Sequence, residues 1–133
     1  MNYFEKISNL PIKENPIIMG IETSCDETAV AIIKDGREIL ANEIISSATE
    51  HAKFGGVVPE IASRTHTTAI LTATENALKV ANLTLDDIDA FAVTEGAGLL
   101  GALLVGVSFA KSLAFSTSIL KYLSLKMQVI SEQ

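Results

Sequence analysis

The sequence predicts a single α/β domain whose elements run in the order β-β-β-α-β-α. Short apolar runs joined by tight polar turns indicate three strands before residue 47. Two later segments have helical periodicity, and a short apolar run of strand character lies between them. With 133 residues, 48% of them hydrophobic and 20% charged, the chain is large enough to bury one core.

The first three strands form an antiparallel meander in this prediction. The runs Ile17–Met19 and Ala29–Ile33 lie on either side of the polar turn Thr23–Thr28, a pattern that indicates a hairpin. Asp35-Gly36 is a turn signal, and a third strand follows it at Glu38–Ser46.

A helix is predicted from Pro59 to about Ala81. Proline suits the first helical turn, because its missing N–H has no intrahelical partner there. His66 is expected on the surface of this helix, and His51 in the preceding loop. The two histidines lack the spacing of a metal-ligand pair. The positions expected to face the core recur every three or four residues and are Ala62, Thr65, Ala69, Ala73, Ala77 and Val80.

The remaining elements are one helical turn, a strand and a second long helix. Thr84–Asp87 has the spacing of a capping box, and Ile88–Val93 is predicted as a buried strand. After a turn at Thr94–Gly98, a helix is expected from about Leu99 to Phe115. Within the segment Gly96–Phe115, glycines, serines and Lys111 argue against a membrane span.

The second helix carries small residues at successive four-residue steps, which allow another backbone to approach closely. Its other faces are apolar, so it is predicted to be buried within the fold or in a subunit interface. The small residues are Gly98, Ala102, Gly106, Ala110 and Ala114.

This element order is the opening of an RNase H-like core, the layout of each half of the actin, Hsp70 and sugar-kinase superfamily. We expect an N-terminal extension at 1–16, the lobe at 17–116 and a tail at 117–133. A complete lobe of this type continues with a fifth strand and a third helix. The formal charge of −6 argues against a chain that grips nucleic acid through its own basic field, so contact with RNA requires a local patch or a partner.

Polar side chains concentrate in the turns Thr23–Thr28 and Thr94–Gly98, which follow the first and fourth strands. In an RNase H-like sheet these turns can converge on one cleft, which suits a nucleotide or an acyl-adenylate. Backbone N–H groups and a helix dipole receive the phosphate, and Asp26 and Glu27 can supply oxygen ligands to a metal ion. The same acids are equally consistent with an ordinary turn. A plain strand–helix turn also explains the glycines at 96 and 98.

Two further groups have open interpretations. Cys25, the single cysteine, excludes an internal disulfide and suits a reducing compartment. It is either a reactive thiol or a small, half-buried packing residue, and the absence of a cationic neighbour in sequence favours packing. Glu60, Ser63 and Arg64 form either a solvated face or a site at the mouth of the cleft.

Four ordered blocks of sequence carry a resemblance to a known family. The first is Gly-Ile-Glu-Thr-Ser-Cys-Asp-Glu-Thr at 20–28. The other blocks lie at His51–Arg64, Leu83–Ala90 and Gly98–Gly106. Over about residues 17–115 the four blocks together resemble the TsaD family of tRNA adenosine threonylcarbamoyltransferases, formerly called the Gcp or glycoprotease family, and the first block is similar to its N-terminal signature.

The resemblance implies a two-lobed cytoplasmic acyltransferase without a membrane segment. Such an enzyme transfers threonylcarbamoyl from its adenylate to N6 of adenosine 37 in tRNAs that read ANN codons, and it uses iron or zinc. A TsaB-like paralogue is the implied partner through the two long helices, and tRNA binds only through the assembled complex. The implied catalytic residues are Asp26 and Glu27, and those implied to line the donor site are Thr23, Ser24, Gly96 and Gly98.

The chain also departs from the family pattern. Gly96-Ala97-Gly98 stands where the family has Gly-Pro-Gly. The family's fifth strand ends in Val-Asn-His and opens a His-x-x-x-His pair for the metal, whereas Thr117–Gln133 contains no histidine. Ile119–Leu123 is a candidate for a replacement strand that lacks these ligands. We therefore expect a truncated N-terminal lobe that is inactive alone, with a non-catalytic partner-binding module as the alternative.

Overall fold

A computed structural model of the chain describes residues 14–47 and 52–117, together with the backbone of 122–126. It confirms an α/β fold in which two helices and a short 3₁₀ turn accompany a five-stranded sheet. His51 lies outside the described residues. The elements are β1 (Ile17–Glu22), β2 (Glu27–Lys34), β3 (Glu38–Ser46), α1 (Pro59–Ala81), the 3₁₀ turn (Leu85–Asp87), β4 (Ala90–Gly96), α2 (Leu100–Ser116) and β5 (Tyr122–Lys126).

The sheet is mixed and has the strand order β3-β2-β1-β4-β5. The predicted meander is confirmed, since β1 pairs antiparallel with β2 and β2 antiparallel with β3. Asp35 and Gly36 both have positive φ, 55° and 65°, as a type I′ hairpin turn requires. Strand β4 joins the other side of β1 in parallel, and β5 joins β4 in parallel.

The fifth strand begins at Tyr122, later than the expected start at Ile119. Residues 118–121 lie outside the described part of the chain. Because β5 pairs with β4, the sheet continues into the segment 117–133 that was expected to be a divergent tail.

Both helices pack on one face of the sheet and against each other. Met19, Ile32 and Phe91 point into this layer and are completely buried. They lie opposite one another in neighbouring strands, and side chains that occupy paired positions share one face of a sheet. The core of the described residues therefore lies between this face and the two helices.

Helix α1 has the predicted bounds, but its buried face is wider than predicted. Ala62, Ala69, Ala73 and Ala77 are buried as expected. Val80 is 62% exposed and Thr65 half-buried, so the prediction was wrong for Val80. The surface position expected for His66 was also wrong, since its side chain is 0% exposed. A second row of buried residues runs beside the alanines, so the buried stripe spans His66, Ile70 and Thr74 as well.

Helix α2 buries its small residues and leaves an apolar outer face. Ala102, Gly106, Ala110 and Ala114 are buried as predicted, whereas Gly98 precedes the helix and is exposed. Among the described residues nothing covers Leu100 and Leu104, which are 75% and 55% exposed. None of the helices in the described ranges is long and apolar enough to cross a membrane.

Candidate functional site

The two polar turns predicted to converge lie in contact at the carboxyl ends of β1 and β4. These strands are parallel neighbours, so the segments that follow them leave the sheet at the same edge. The N–H of Leu99 donates to the Ser24 carbonyl at 2.8 Å. A Cβ atom on Gly98 would lie 2.6 Å from that same oxygen, and only glycine allows this approach.

Strand β4 runs to Gly96, so Thr94–Gly96 belongs to the strand and not, as predicted, to the turn. This places the Thr94 hydroxyl beside the last residue of β1, and it donates to Oε2 of Glu22. The other carboxylate oxygen of Glu22 accepts the N–H of Ser24 at 2.5 Å. Glu22 therefore joins the first turn to the end of β4. Glu22 was not among the predicted site residues, although its position, an acid at the end of a buried strand, indicates such a role.

Thr23 fastens the first turn to helix α2. Its hydroxyl donates to the Ala102 carbonyl at 2.7 Å and accepts the Gly106 N–H at 3.1 Å. The side chain is completely buried, so this hydroxyl is committed to the helix. The small residues of α2 were predicted to allow a close approach, and the group that approaches them is the Thr23 side chain of the same chain. The contact of Thr23 with a donor molecule stays a prediction.

The remaining predicted residues of the turn are accessible. Ser24 and Asp26 are half-buried, and Glu27 is exposed at the start of β2. The backbone beneath them is fixed, because the Asp26 carbonyl accepts both the N–H of Ser47 at 2.9 Å and its hydroxyl at 2.7 Å. Cys25 is exposed, so the half-buried packing position expected for it was wrong.

His66 of α1 reaches the same turn from below. Its Nδ1 lies 2.6 Å from the Thr28 hydroxyl and its Nε2 lies 2.7 Å from the Cys25 carbonyl oxygen. Both ring nitrogens are therefore used within the protein, and neither is available to a metal ion.

Glu22 and Thr94 also border a cleft of about 220 Å³ on the sheet face opposite the helices. Small residues form its floor, in adjacent positions of three strands. They are Gly20, Ala29, Ala31 and Ala92.

The described residues do not fit the iron or zinc implied by the resemblance. Within the described ranges, no three or more His, Cys, Asp or Glu side chains are placed to hold a metal ion. The sequence has only two histidines, and both ring nitrogens of the one in the described part, His66, are bonded to Thr28 and Cys25.

The residues Glu60 and Arg64, expected to form either a solvated face or a site at the mouth of the cleft, form a solvated i,i+4 ion pair of 2.6 Å, with both side chains more than 70% exposed.

The sequence of the chain is similar to those of known proteins. The sequence model of the family described as "TsaD: tRNA N6-adenosine threonylcarbamoyltransferase" matches residues 38–121. The similarity thus runs beyond Ser116, where the motifs alone had placed its end. A curated relative of that name from Bacillus thuringiensis (strain Al Hakam) is 61% identical over 108 residues, 81% of this chain and 32% of the relative. One from Listeria monocytogenes serotype 4b is 57% identical over 104 residues, 78% of this chain and 30% of the relative.

Solved structures show the same fold. YeaZ from Pseudomonas aeruginosa has a TM-score of 0.61 at 20% identity, covering 84% of this chain and 44% of that one. A second structure, titled as an uncharacterized protein with similarity to peptidase YeaZ from the same organism, has a TM-score of 0.63 at 21% identity, covering 84% and 43%. The chain spans about a third of the length of the curated relatives that it matches. By its match over most of its length, the chain belongs to the TsaD family of tRNA N6-adenosine threonylcarbamoyltransferases and corresponds to the N-terminal portion of that family.

Proposed function

We propose that this chain supplies one wall of a cleft in which threonylcarbamoyl is transferred from its adenylate to N6 of adenosine 37, in cytoplasmic tRNAs that read ANN codons. The observation that carries the proposal is the contact between the Ser24 carbonyl and Leu99. It joins the family's polar turn to the start of α2 at one sheet edge, in a chain 61% identical to proteins named for this reaction.

The accessible residues of the turn suit this acyl transfer. N6 of adenine forms a bond to the carbamoyl carbon, the bond from that carbon to the phosphate oxygen breaks, and AMP leaves with the electron pair. The proton lost from N6 goes to a carboxylate, and Asp26 and Glu27 are the candidates beside the Ser24 hydroxyl. The phosphate lies near Gly96, Gly98 and the first turn of α2, where amide groups have no earlier helical partner. Because the metal of the family does not fit the described residues, no step is assigned to it.

We further propose that the isolated chain does not catalyse the transfer. It spans about a third of its relatives' length, and one wall of a cleft neither encloses the donor nor excludes water. The lobe proposed for this role is 17–116, and β5 (Tyr122–Lys126) of the following segment adds a strand to its sheet.

The test is a split-enzyme assay. The chain is mixed with the separately expressed remainder of the Bacillus thuringiensis relative, threonylcarbamoyl-adenylate and tRNA, and threonylcarbamoyladenosine is measured by mass spectrometry. We expect product from the pair and none from either part. Of Asp26→Asn and Glu27→Gln, the variant that removes the proton acceptor should lower the rate about a hundredfold, the scale of a lost general base.

Asp86→Asn is the matched control, because Asp86 is an exposed acid on the 3₁₀ turn, away from the turns that meet. It should retain the full rate. Product from the isolated chain would overturn the proposed inactivity. An inactive pair, or full activity of both the Asp26 and the Glu27 variants, would overturn the proposed role of the turn.

The likeness to YeaZ favours a second candidate, a partner-binding module without catalysis. Leu71 of α1 and Leu100 and Leu104 of α2 are each more than half exposed, and they lie on helices that pack side by side. A TsaB-like paralogue is the proposed partner of this surface, and tRNA is reached only through the assembled complex. An interaction site on this surface requires that the three side chains form one contiguous apolar patch.

Co-purification with a YeaZ-type protein tests this candidate. Leu104→Asp should abolish a complex formed through the helices. Ile39→Asp, at a residue 67% exposed on β3, is the matched control and should leave the complex intact. A complex that forms while the split pair shows no transfer favours the module. No complex, or equal loss with both variants, contradicts it.

A further inference from the structure

His66 is a completely buried polar side chain in the middle of a helix that otherwise buries alanine, isoleucine and threonine. A buried imidazole is costly unless its polar atoms are paired, and here both nitrogens are paired. The partners are 41 and 38 residues away in sequence, at Cys25 and Thr28. The position therefore has a more specific role than filling space in the core.

The chemistry of the two partners fixes the arrangement of protons in the neutral ring. The Cys25 carbonyl only accepts, so Nε2 must carry the proton that it shares with that oxygen. Nδ1 of the same ring is then an acceptor, and the Thr28 hydroxyl donates to it. The His66 side chain thus bonds one backbone group, in the turn, and one side-chain group, at the start of β2.

These two bonds lie on either side of the acid pair. Cys25 directly precedes Asp26, and Thr28 directly follows Glu27. Between them, the Asp26 carbonyl is held by Ser47 through two further bonds, of 2.9 and 2.7 Å. The segment that carries the two carboxylates is consequently held through the Cys25 carbonyl, the Asp26 carbonyl and the Thr28 side chain, while the carboxylates themselves remain accessible.

We propose that His66 is a positioning residue, which sets the geometry of the Asp26–Glu27 turn by holding the Cys25 carbonyl and the Thr28 hydroxyl. The functional meaning of this role rests on the proposed transfer reaction. The two hydrogen bonds of His66 to Cys25 and Thr28, called the clamp below, do not depend on that reaction. Precise placement of a catalytic group strongly affects rate, so loosening the clamp should lower transfer without removing any group that touches substrate.

Site-resolved amide hydrogen exchange of the full 133-residue chain tests the clamp. The Ser47 amide, which bonds the Asp26 carbonyl, reports on the turn. The Asp89 amide, which bonds the Ile17 carbonyl at 2.8 Å, reports on the opposite end of the sheet. In His66→Leu we expect exchange at Ser47 to rise about tenfold or more, with less than about a twofold change at Asp89.

Three further variants separate positioning from packing. His66→Gln keeps a donor that can reach the Cys25 carbonyl but loses the acceptor for the Thr28 hydroxyl, so Ser47 exchange should fall clearly below that of His66→Leu without returning fully to that of the unmodified chain. Thr28→Val removes the hydroxyl at Nδ1 and should raise exchange at Ser47 but not at Asp89. Thr74→Val removes an equally buried hydroxyl of α1, one that bonds Ile70 within the helix at 2.7 Å, and should leave Ser47 unchanged.

If His66→Leu does not fold, Thr28→Val decides the question. A parallel rise at Ser47 and Asp89, an unchanged Ser47, or no rescue by His66→Gln would overturn the proposal. In the split-enzyme assay, Thr28→Val should lower the rate about tenfold and Thr74→Val should not. If the unmodified pair gives no product, the proposed function fails, and the exchange data still decide whether the clamp exists.

Discussion

Replacing Gly106 by alanine should destabilise the protein, although alanine is the better helix former. Gly106 lies in the interior of α2, where the substitution alone would gain about 1 kcal/mol. The added Cβ, however, would lie 2.5 Å from Oγ1 of Thr23. Thr23 is β-branched and completely buried, so its hydroxyl has no open space into which to move.

The magnitude follows from the contacts that the new methyl group displaces. Overpacking of a close-packed site costs about 1–3 kcal/mol. Moving the Thr23 hydroxyl also breaks its bonds to the Ala102 carbonyl and the Gly106 N–H, and leaving a buried polar group unpaired costs about 1–3 kcal/mol. After the gain in helix propensity, the net loss in the free energy of unfolding is about 1–5 kcal/mol.

Gly101 provides the matched control on the same helix. A Cβ there would lie 2.5 Å from the Ser63 hydroxyl oxygen, but Ser63 is half-buried and its bond to Pro59 lies at the exposed surface. A serine side chain can rotate away there, so Gly101→Ala should be neutral or stabilise by up to about 1 kcal/mol. The same glycine-to-alanine substitution, with the same 2.5 Å contact, is therefore expected to lower the free energy of unfolding at Gly106 and not to lower it at Gly101.

Urea unfolding followed by far-ultraviolet circular dichroism measures both variants, since the chain has no tryptophan. Thr23→Ala removes the atom that clashes and leaves space for the new methyl group. The double variant Thr23→Ala/Gly106→Ala should thus be more stable than the sum of the single effects predicts. Equal stability of Gly106→Ala and Gly101→Ala, or strict additivity in the double variant, would refute the reasoning.

Substitutions at two further positions have expected outcomes in the same assay. Asn82 ends α1 in the left-handed region at φ 55°, so Asn82→Ala should cost about 1 kcal/mol, whereas Asn82→Gly should change stability by less than about 0.5 kcal/mol. A loss equal in both variants would contradict the backbone explanation. Thr94→Val removes the hydroxyl that donates to the Glu22 carboxylate and should cost about 1.5–3 kcal/mol, the range for a bond to a charged group. Thr94→Ser keeps the hydroxyl and should retain most of that stability.

Local signals made much of the fold predictable. Pro59 marked the start of α1. The Asp35-Gly36 pair marked the hairpin, because two successive residues with positive φ suit few other sequences. In each case the determinant is the conformational preference of one or two residues, which a single sequence displays directly.

The parts that could not be predicted depend on contacts distant in sequence. The surface position expected for His66 followed from polarity, yet its partners belong to β2 and the turn before it, 38 and 41 residues earlier. The small residues of α2 indicated a close approach but not what approaches. That partner, Thr23, is 79 residues from Ala102. Strand β4 extends beyond its apolar run because its last residues, from Thr94 to Gly96, pair with β5, a neighbour that no periodicity reveals.

These contacts divide the polar turn into residues that build it and residues that it presents. The side chains of Glu22, Thr23 and Thr28 are all bonded within the fold, so truncating any of them should lower stability by more than about 1 kcal/mol. For Ser24, Asp26 and Glu27 the structure shows accessible side chains on a fixed backbone, and Ser24→Ala, Asp26→Asn and Glu27→Gln should each stay within about 0.5 kcal/mol of the unmodified chain. If variants of the second set lost as much stability as variants of the first, Asp26 and Glu27 would be structural members of the turn. Their accessibility would then no longer support a role in chemistry.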